Sequence, residues 1–246
     1  MIRRDAYLLA GPTASGKSAA AALLARRTGA AILSADSMLV YKGMDIGTAK
    51  PSREERAEFD MGGIDLVTPA EHFSSGAWLR AAARWLAAMP AERPVVIVGG
   101  TGLYFSALLR GLDRKWVSPP PSYPVLQLGR AVLHARIAAR LDEMFMQGLA
   151  AEVAGLRRKY PVWSDTASAA IGYKEFIEGE DVAHVREKIL VRTRQLAKRQ
   201  ETWFRHQATP LYVPAGESVA ETAELVWRTW NERGPWMVCL PEEGET

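Results

Sequence analysis

Gly11-Pro12-Thr13-Ala14-Ser15-Gly16-Lys17-Ser18 follows directly on the apolar run Ala6-Tyr7-Leu8-Leu9-Ala10. It satisfies every term of the phosphate-binding pattern G-x-x-x-x-G-K-[ST], which is shared by nucleotide- and ATP-binding proteins. A strand ending in such a loop, followed by the helix-forming run Ala19-Ala20-Ala21-Ala22-Leu23-Leu24-Ala25, aims backbone amides and a helix N-terminus at an anion. Gly11, Thr13, Ala14, Ser15 and Gly16 then form the cradle for a diphosphate or triphosphate. Lys17 reaches the terminal phosphates as a point charge, and the Ser18 hydroxyl ligates Mg²⁺. The competing reading, a glycine-rich turn with a chance lysine, leaves the flanking strand and helix unexplained.

Working outward, strand-like and helix-like runs alternate. The strands read at 6–10, 31–34, 95–98, 125–128 and 211–213. The helices read at 17–28, 75–88, 102–109, 133–159 with a break near Gly148, 182–206 and 218–233. This alternation predicts an α/β fold of the P-loop NTPase type, a mostly parallel sheet with helices on both faces and a helical C-terminal part. The proline-rich stretch 118–124 reads as a linker too short to join independent domains, so residues 1–246 are expected to form a single domain.

Composition excludes several classes. No run of about 18 apolar residues is present, and Met1-Ile2-Arg3-Arg4-Asp5 leads straight into the first strand, which points to a cytoplasmic protein with no membrane partner. The lone Cys239 rules out an internal disulfide. His72, His134, His184 and His206 are too scattered for a zinc site, so Mg²⁺ is the only metal the sequence argues for. A monomer is expected. Net charge is only +3, but Arg186, Lys188, Arg192, Arg194, Lys198, Arg199 and Arg205 load one helix against Glu187 and Glu201. Such a helix is either a solvated face or a surface for a polyanion.

Two further positions carry candidate chemistry. Asp36 lies just past the second strand, at the carboxyl edge where open α/β sheets bind ligands, and so near Lys17. It reads equally as a general base, a water-mediated Mg²⁺ ligand or a turn residue. The third strand ends in Gly99-Gly100-Thr101-Gly102, with no carboxylate of the kind that holds Mg²⁺ in ATP-hydrolysing enzymes. Its glycines allow a ligand to approach the backbone, and Thr101 offers a hydroxyl or a helix cap.

These residues together resemble the tRNA dimethylallyltransferase family. The resemblance is carried by Gly11 to Ser18, by Asp36-Ser37-Met38-Leu39-Val40-Tyr41-Lys42-Gly43-Met44-Asp45-Ile46-Gly47-Thr48-Ala49-Lys50-Pro51 and by Val98-Gly99-Gly100-Thr101-Gly102-Leu103-Tyr104. Arg136-Ile137, Met144, Gly148-Leu149, Glu152-Val153, Ile171-Gly172-Tyr173-Lys174 and Thr193-Arg194-Gln195-Leu196-Ala197-Lys198-Arg199-Gln200 with Thr202-Trp203 continue it to about residue 213. It implies transfer of a dimethylallyl group from dimethylallyl diphosphate to the exocyclic amine of the adenine just 3′ of a tRNA anticodon. Asp36 would then accept the proton and Thr101 position the reactants. Arg194 would lie near the diphosphate. Ser37, Met38, Leu39, Lys198, Arg199, Gln200, Trp203 and Arg205 would contact the anticodon stem-loop, whose adenine must flip out to be reached.

The chain departs from the family in three places. The helical insertion that follows the block ending in Gly111-Leu112, and that grips the anticodon stem-loop in typical members, is replaced by about 113–122. Met61-Gly62-Gly63-Ile64-Asp65 stands where the family carries histidines, and Ala169 where it carries a longer polar residue. Three other readings are an isopentenyltransferase acting on a free adenine nucleotide, a P-loop small-molecule kinase and a non-catalytic tRNA-binding protein.

Overall fold

The computed structural model describes residues 2–110, 122–179 and 181–240. In chain order the elements are β1 (Ile2–Ala10), α1 (Lys17–Thr28), β2 (Ala31–Ser34), α2 (Arg53–Phe59), β3 (Met61–Gly62), α3 (Ser75–Ala87), β4 (Val95–Gly99), α4 (Gly102–Arg110) and β5 (Ser122–Gln127). They continue with α5 (Arg130–Met146), α6 (Leu149–Lys159), α7 (Asp165–Ser168), α8 (Lys174–Ile177), α9 (Val182–Gln207), β6 (Thr209–Pro214), α10 (Val219–Arg233) and β7 (Trp236–Leu240).

The sheet order is β3-β2-β4-β1-β5-β6, parallel throughout, with β7 antiparallel to β1. Period-2 alternation divides the apolar residues between two faces. Leu8, Val95 and Ile97 pack with Trp78, Leu79, Phe105 and Leu108 of α3 and α4; Leu9, Val96 and Val98 pack with Ala20, Leu24, Val226 and Trp230 of α1 and α10. The two buried indoles are satisfied, Trp78 Nε1 donating to Ser34 O (3.1 Å) and Trp230 Nε1 to Leu8 O (2.9 Å).

The expected parallel sheet is present, with corrections. β1 begins at Ile2 because residues 2–6 pair with β7, a strand the sequence reading omitted. The proline stretch is no linker as far as it is described: Ser122–Pro124 opens β5, in register with Thr209–Leu211 of β6. Apart from Ser122, the segment 113–122 lies outside the described residues. The break at Gly148 is real, with φ +94° and separate helices on either side.

Gly62 and Gly63 are held by close contacts. A Cβ at position 62 would lie 2.4 Å from the Trp85 ring, and one at 63 would lie 2.5 Å from Ser34 O on a backbone at φ +78°. A larger side chain at either position has no room beside β2 and α3.

Candidate active site

The phosphate loop joins β1 to α1 at the carboxyl edge of the sheet. Lys17 is 9% exposed and donates from Nζ to Pro12 O (3.1 Å), so its side chain folds back over the loop. Burial pushes its pKa down to about 8, opposed by the charge of Asp36 and reinforced by that of Arg140. The Ser15 hydroxyl is buried in the loop without a hydrogen-bond partner. Such an orphaned donor inside a phosphate cradle suits an anion that accepts from it.

Two arginines of α5 complete the loop, and neither had been given a role from the sequence. Arg136 donates to Ser15 O (3.4 Å); Arg140 donates to Thr13 Oγ1 (3.2 Å) and Thr48 O (3.3 Å). Burial lowers the Arg140 pKa, while the nearby Asp36 raises it. The sequence signals for them were the Arg136-Ile137 block of the resemblance and their spacing, four residues apart on one helix face.

Asp36 occupies the turn after β2, its Oδ1 accepting from Met38 N (2.9 Å). Thr101 follows β4; its Oγ1 accepts from Ser37 N (3.0 Å), and its own N–H donates to Ala35 O (3.1 Å). The two sheet edges are thereby tied together. Gln200 of α9 closes the third side, Oε1 accepting from Thr13 N (2.8 Å) and Nε2 donating to Gly100 O (3.1 Å). Asp36, Ser37, Thr101, Thr13, Arg140 and Gln200 all line one cavity of about 370 Å³, whose remaining wall is largely apolar.

Glu152 of α6 fixes the loop on the far wall. Its carboxylate accepts from the amides of Asp45 (3.0 Å), Ile46 (2.8 Å) and Gly47 (3.2 Å), and from the Tyr173 hydroxyl (2.6 Å). Burial and the adjacent carboxylate raise the Tyr173 pKa, which keeps the phenol a donor.

The family model described as IPP transferase matches residues 39–124 and 113–207, and the one described as isopentenyl transferase matches residues 4–60. The chain belongs to the IPP transferase family. The tRNA dimethylallyltransferase of Burkholderia thailandensis is 33% identical over 314 aligned positions, covering 94% of this chain and 97% of that one. That of Bordetella pertussis is 32% identical, covering 93% and 99%. The full-length tRNA isopentenylpyrophosphate transferase of Bacillus halodurans superposes with a TM-score of 0.80 at 25% identity, over 94% of this chain and 98% of that chain. Because 314 positions are aligned to a chain of 246 residues, at least 68 positions of the Burkholderia relative have no counterpart here.

In this IPP transferase the residues singled out from the sequence divide among three places. Asp36, Ser37, Met38, Thr101, Thr13, Ala14, Arg199 and Gln200 share the cavity, and Asp36 is close enough to Lys17 to act on its charge. Arg194 lines a neighbouring cavity of about 610 Å³ with Lys198 and Arg205, on another face of α9. Leu39 lies outside both, its carbonyl accepting from Asp65 N.

The glycines of Gly99-Gly100-Thr101-Gly102 mainly admit protein and not, as expected, a ligand. Added Cβ atoms would lie 2.1 Å from Ala35 O at Gly99, 2.3 Å from Gln200 Nε2 at Gly100 and 2.1 Å from the Trp203 ring at Gly102. Trp203 is thus packed on the β4 end and partly buried. The basic helix is also more selective than its composition: Arg186 pairs with Asp142, and Arg192 with Glu175 (2.7 Å), leaving Lys198, Arg199 and Arg205 exposed.

Among the described residues no three His, Cys, Asp or Glu side chains form a metal cluster. Ser18, exposed in the first turn of α1, fits a hydrated Mg²⁺ that takes its other ligands from phosphate oxygens and water. Among the described residues no helix is long and apolar enough to cross a membrane.

Proposed function

We propose that this chain is a tRNA dimethylallyltransferase. It moves a dimethylallyl group from dimethylallyl diphosphate to the exocyclic amine of the adenine 3′ of the anticodon. The observation that carries this reading is the shared cavity: Thr13 and Ala14 of the phosphate loop, a carboxylate with a hydroxyl beside it, and apolar walls all open into one space. The apolar walls suit the hydrocarbon of an allylic donor.

The amine nitrogen bonds to the allylic carbon as that carbon's bond to oxygen breaks, and diphosphate departs with the electron pair. Asp36 takes the proton released by the amine, and Thr101, fixed against Ser37, holds the reactants in place. Lys17, Arg140 and the loop amides meet the charge that grows on the leaving oxygen. Ser18 and diphosphate oxygens would hold Mg²⁺, which would supply further charge neutralisation. In this reading Arg199 and Gln200 lie beside the flipped adenine, and Lys198, Arg205 and Arg194 take the backbone phosphates nearby. A cytoplasmic monomer fits the same reading.

Incubation with dimethylallyl diphosphate, Mg²⁺ and either total tRNA or adenosine monophosphate tests it. Label on tRNA is expected. Label on the mononucleotide alone would move the chain to the free-nucleotide reaction, and consumption of ATP without prenylation would make it a kinase.

In this reading phosphate contacts by Lys198 and Arg205 carry much of the affinity for tRNA. Binding should fall steeply with salt, and Lys198→Ala should reduce the slope of log affinity against log salt by about one. Salt-independent binding would remove α9 from the tRNA surface.

A further inference from the structure

The Asp36 cavity changes character along its length, and two helices record the change independently. On α5, Arg136 and Arg140 reach the phosphate loop through Ser15 O and Thr13 Oγ1. Leu141 is the next residue on the cavity side, and Met144 follows about one turn, roughly 6 Å, beyond Arg140. On α9 the order runs the other way. Gln200 is fixed to Thr13 N and Gly100 O, and Leu196, Thr193 and Ile189 follow at successive turns, the last about 16 Å along the axis from Gln200. Apart from Ile137, which lines the cavity between Arg136 and Arg140, each helix begins polar at the phosphate loop and ends apolar.

Both apolar ends stop against the main core. Met144 and Ile189 are 9% and 3% exposed and belong to the same buried cluster as Leu149 and Tyr173. Behind them, among the described residues, lies packed protein. A cavity that starts at an anion cradle and ends on buried hydrocarbon measures the tail of an amphiphilic ligand.

We infer that Met144 and Ile189 set the length of the prenyl group, admitting a five-carbon chain and rejecting a ten-carbon one. This rests on the prenyl-transfer reading and adds a determinant of donor specificity to it. With the diphosphate in the phosphate loop, the hydrocarbon points past Arg140. Five carbons reach about one helical turn past Arg140, to the level of Met144 on α5 and of Leu196 on α9. A second isoprene unit needs the volume that Met144 and Ile189 fill. One extra methylene in a filled apolar pocket is worth about 10- to 200-fold in discrimination, so five extra carbons are excluded strongly.

The test compares dimethylallyl and geranyl diphosphate as donors to tRNA, in the wild type and in Met144→Ala and Ile189→Ala. Binding of each diphosphate is also titrated without any acceptor. The wild type should favour the five-carbon donor by at least about 10²-fold in kcat/KM. Either variant should move that ratio toward the ten-carbon donor by at least about tenfold, through tighter geranyl diphosphate binding and weaker dimethylallyl diphosphate binding. Two variants are used because either truncation of a buried side chain can unfold the protein. A wild type that accepts both donors equally, or folded variants with an unchanged ratio, would overturn the length assignment while five-carbon transfer to tRNA stood. If no tRNA is prenylated, the functional reading fails, and the acceptor-free titrations still decide the chain-length question by the same ratio.

Discussion

Replacing Asp36 with alanine is expected to lower turnover by at least about 10²-fold while dimethylallyl diphosphate still binds. The carboxylate lines the cavity on the β2 side, whereas the anion cradle is built by residues 11–18 with Arg136 and Arg140. Losing Asp36 therefore removes a proton acceptor without removing a phosphate contact. It also removes a negative charge that acts on both Lys17 and Arg140, so the affinity for an anionic donor should hold or rise. Asp36→Asn is the sharper variant, because an amide oxygen can still accept from Met38 N and preserve the turn. Single-turnover rates and donor titrations on both variants separate the effects. Turnover within a few fold of wild type would take Asp36 out of the proton transfer, and a raised KM at unchanged kcat would make it a binding residue.

What the sequence exposed and what it hid follow from the range of the interactions. The phosphate loop, the strand ahead of it and Asp36 past the next strand are local patterns. Each depends on residues a few positions apart, and each is in place. Arg136 and Arg140 act on residues more than 120 positions away, and nothing in Arg136-Ile137-Ala138-Ala139-Arg140 tells which neighbour its helix face will meet. The same holds for β1 and β7, whose pairing joins Ile2 to Leu240 and lengthens one strand while creating the other. Some misses were avoidable. Ser52-Arg53-Glu54-Glu55 is a capping-box sequence, and α2 starts there with both reciprocal bonds formed. The reading of Gly99 and Gly102 failed for another reason: close approach was correctly expected, but the approaching groups are Ala35 and Trp203.

Lys17 should prove costly to the empty fold and indispensable to the loaded one. In the unfolded chain a lysine keeps its proton up to the ordinary value of 10.5, whereas in the fold it yields it near 8. Between those values the unfolded state binds more protons, so ligand-free stability rises with pH across that window; below about 8 both states are charged and the penalty is constant. The depression corresponds to about 3 kcal/mol at most. Lys17→Met should consequently stabilise the ligand-free protein at pH 7 by up to about 3 kcal/mol, and this advantage should shrink toward pH 10. Activity moves the opposite way. A diphosphate restores the lysine's proton, so donor affinity in the wild type should weaken above pH 8 by up to about tenfold per pH unit, and the variant should lack that slope. Turnover in Lys17→Met should fall by about 10²- to 10³-fold, the usual loss when one group that stabilises developing negative charge is removed. Denaturant midpoints at pH 7 and 10 and donor titrations from pH 7 to 9.5 measure both sides. A stability difference that stays constant with pH would show that Lys17 keeps its ordinary pKa in the fold, and a pH slope that survives in the variant would show that another titrating group meets the diphosphate.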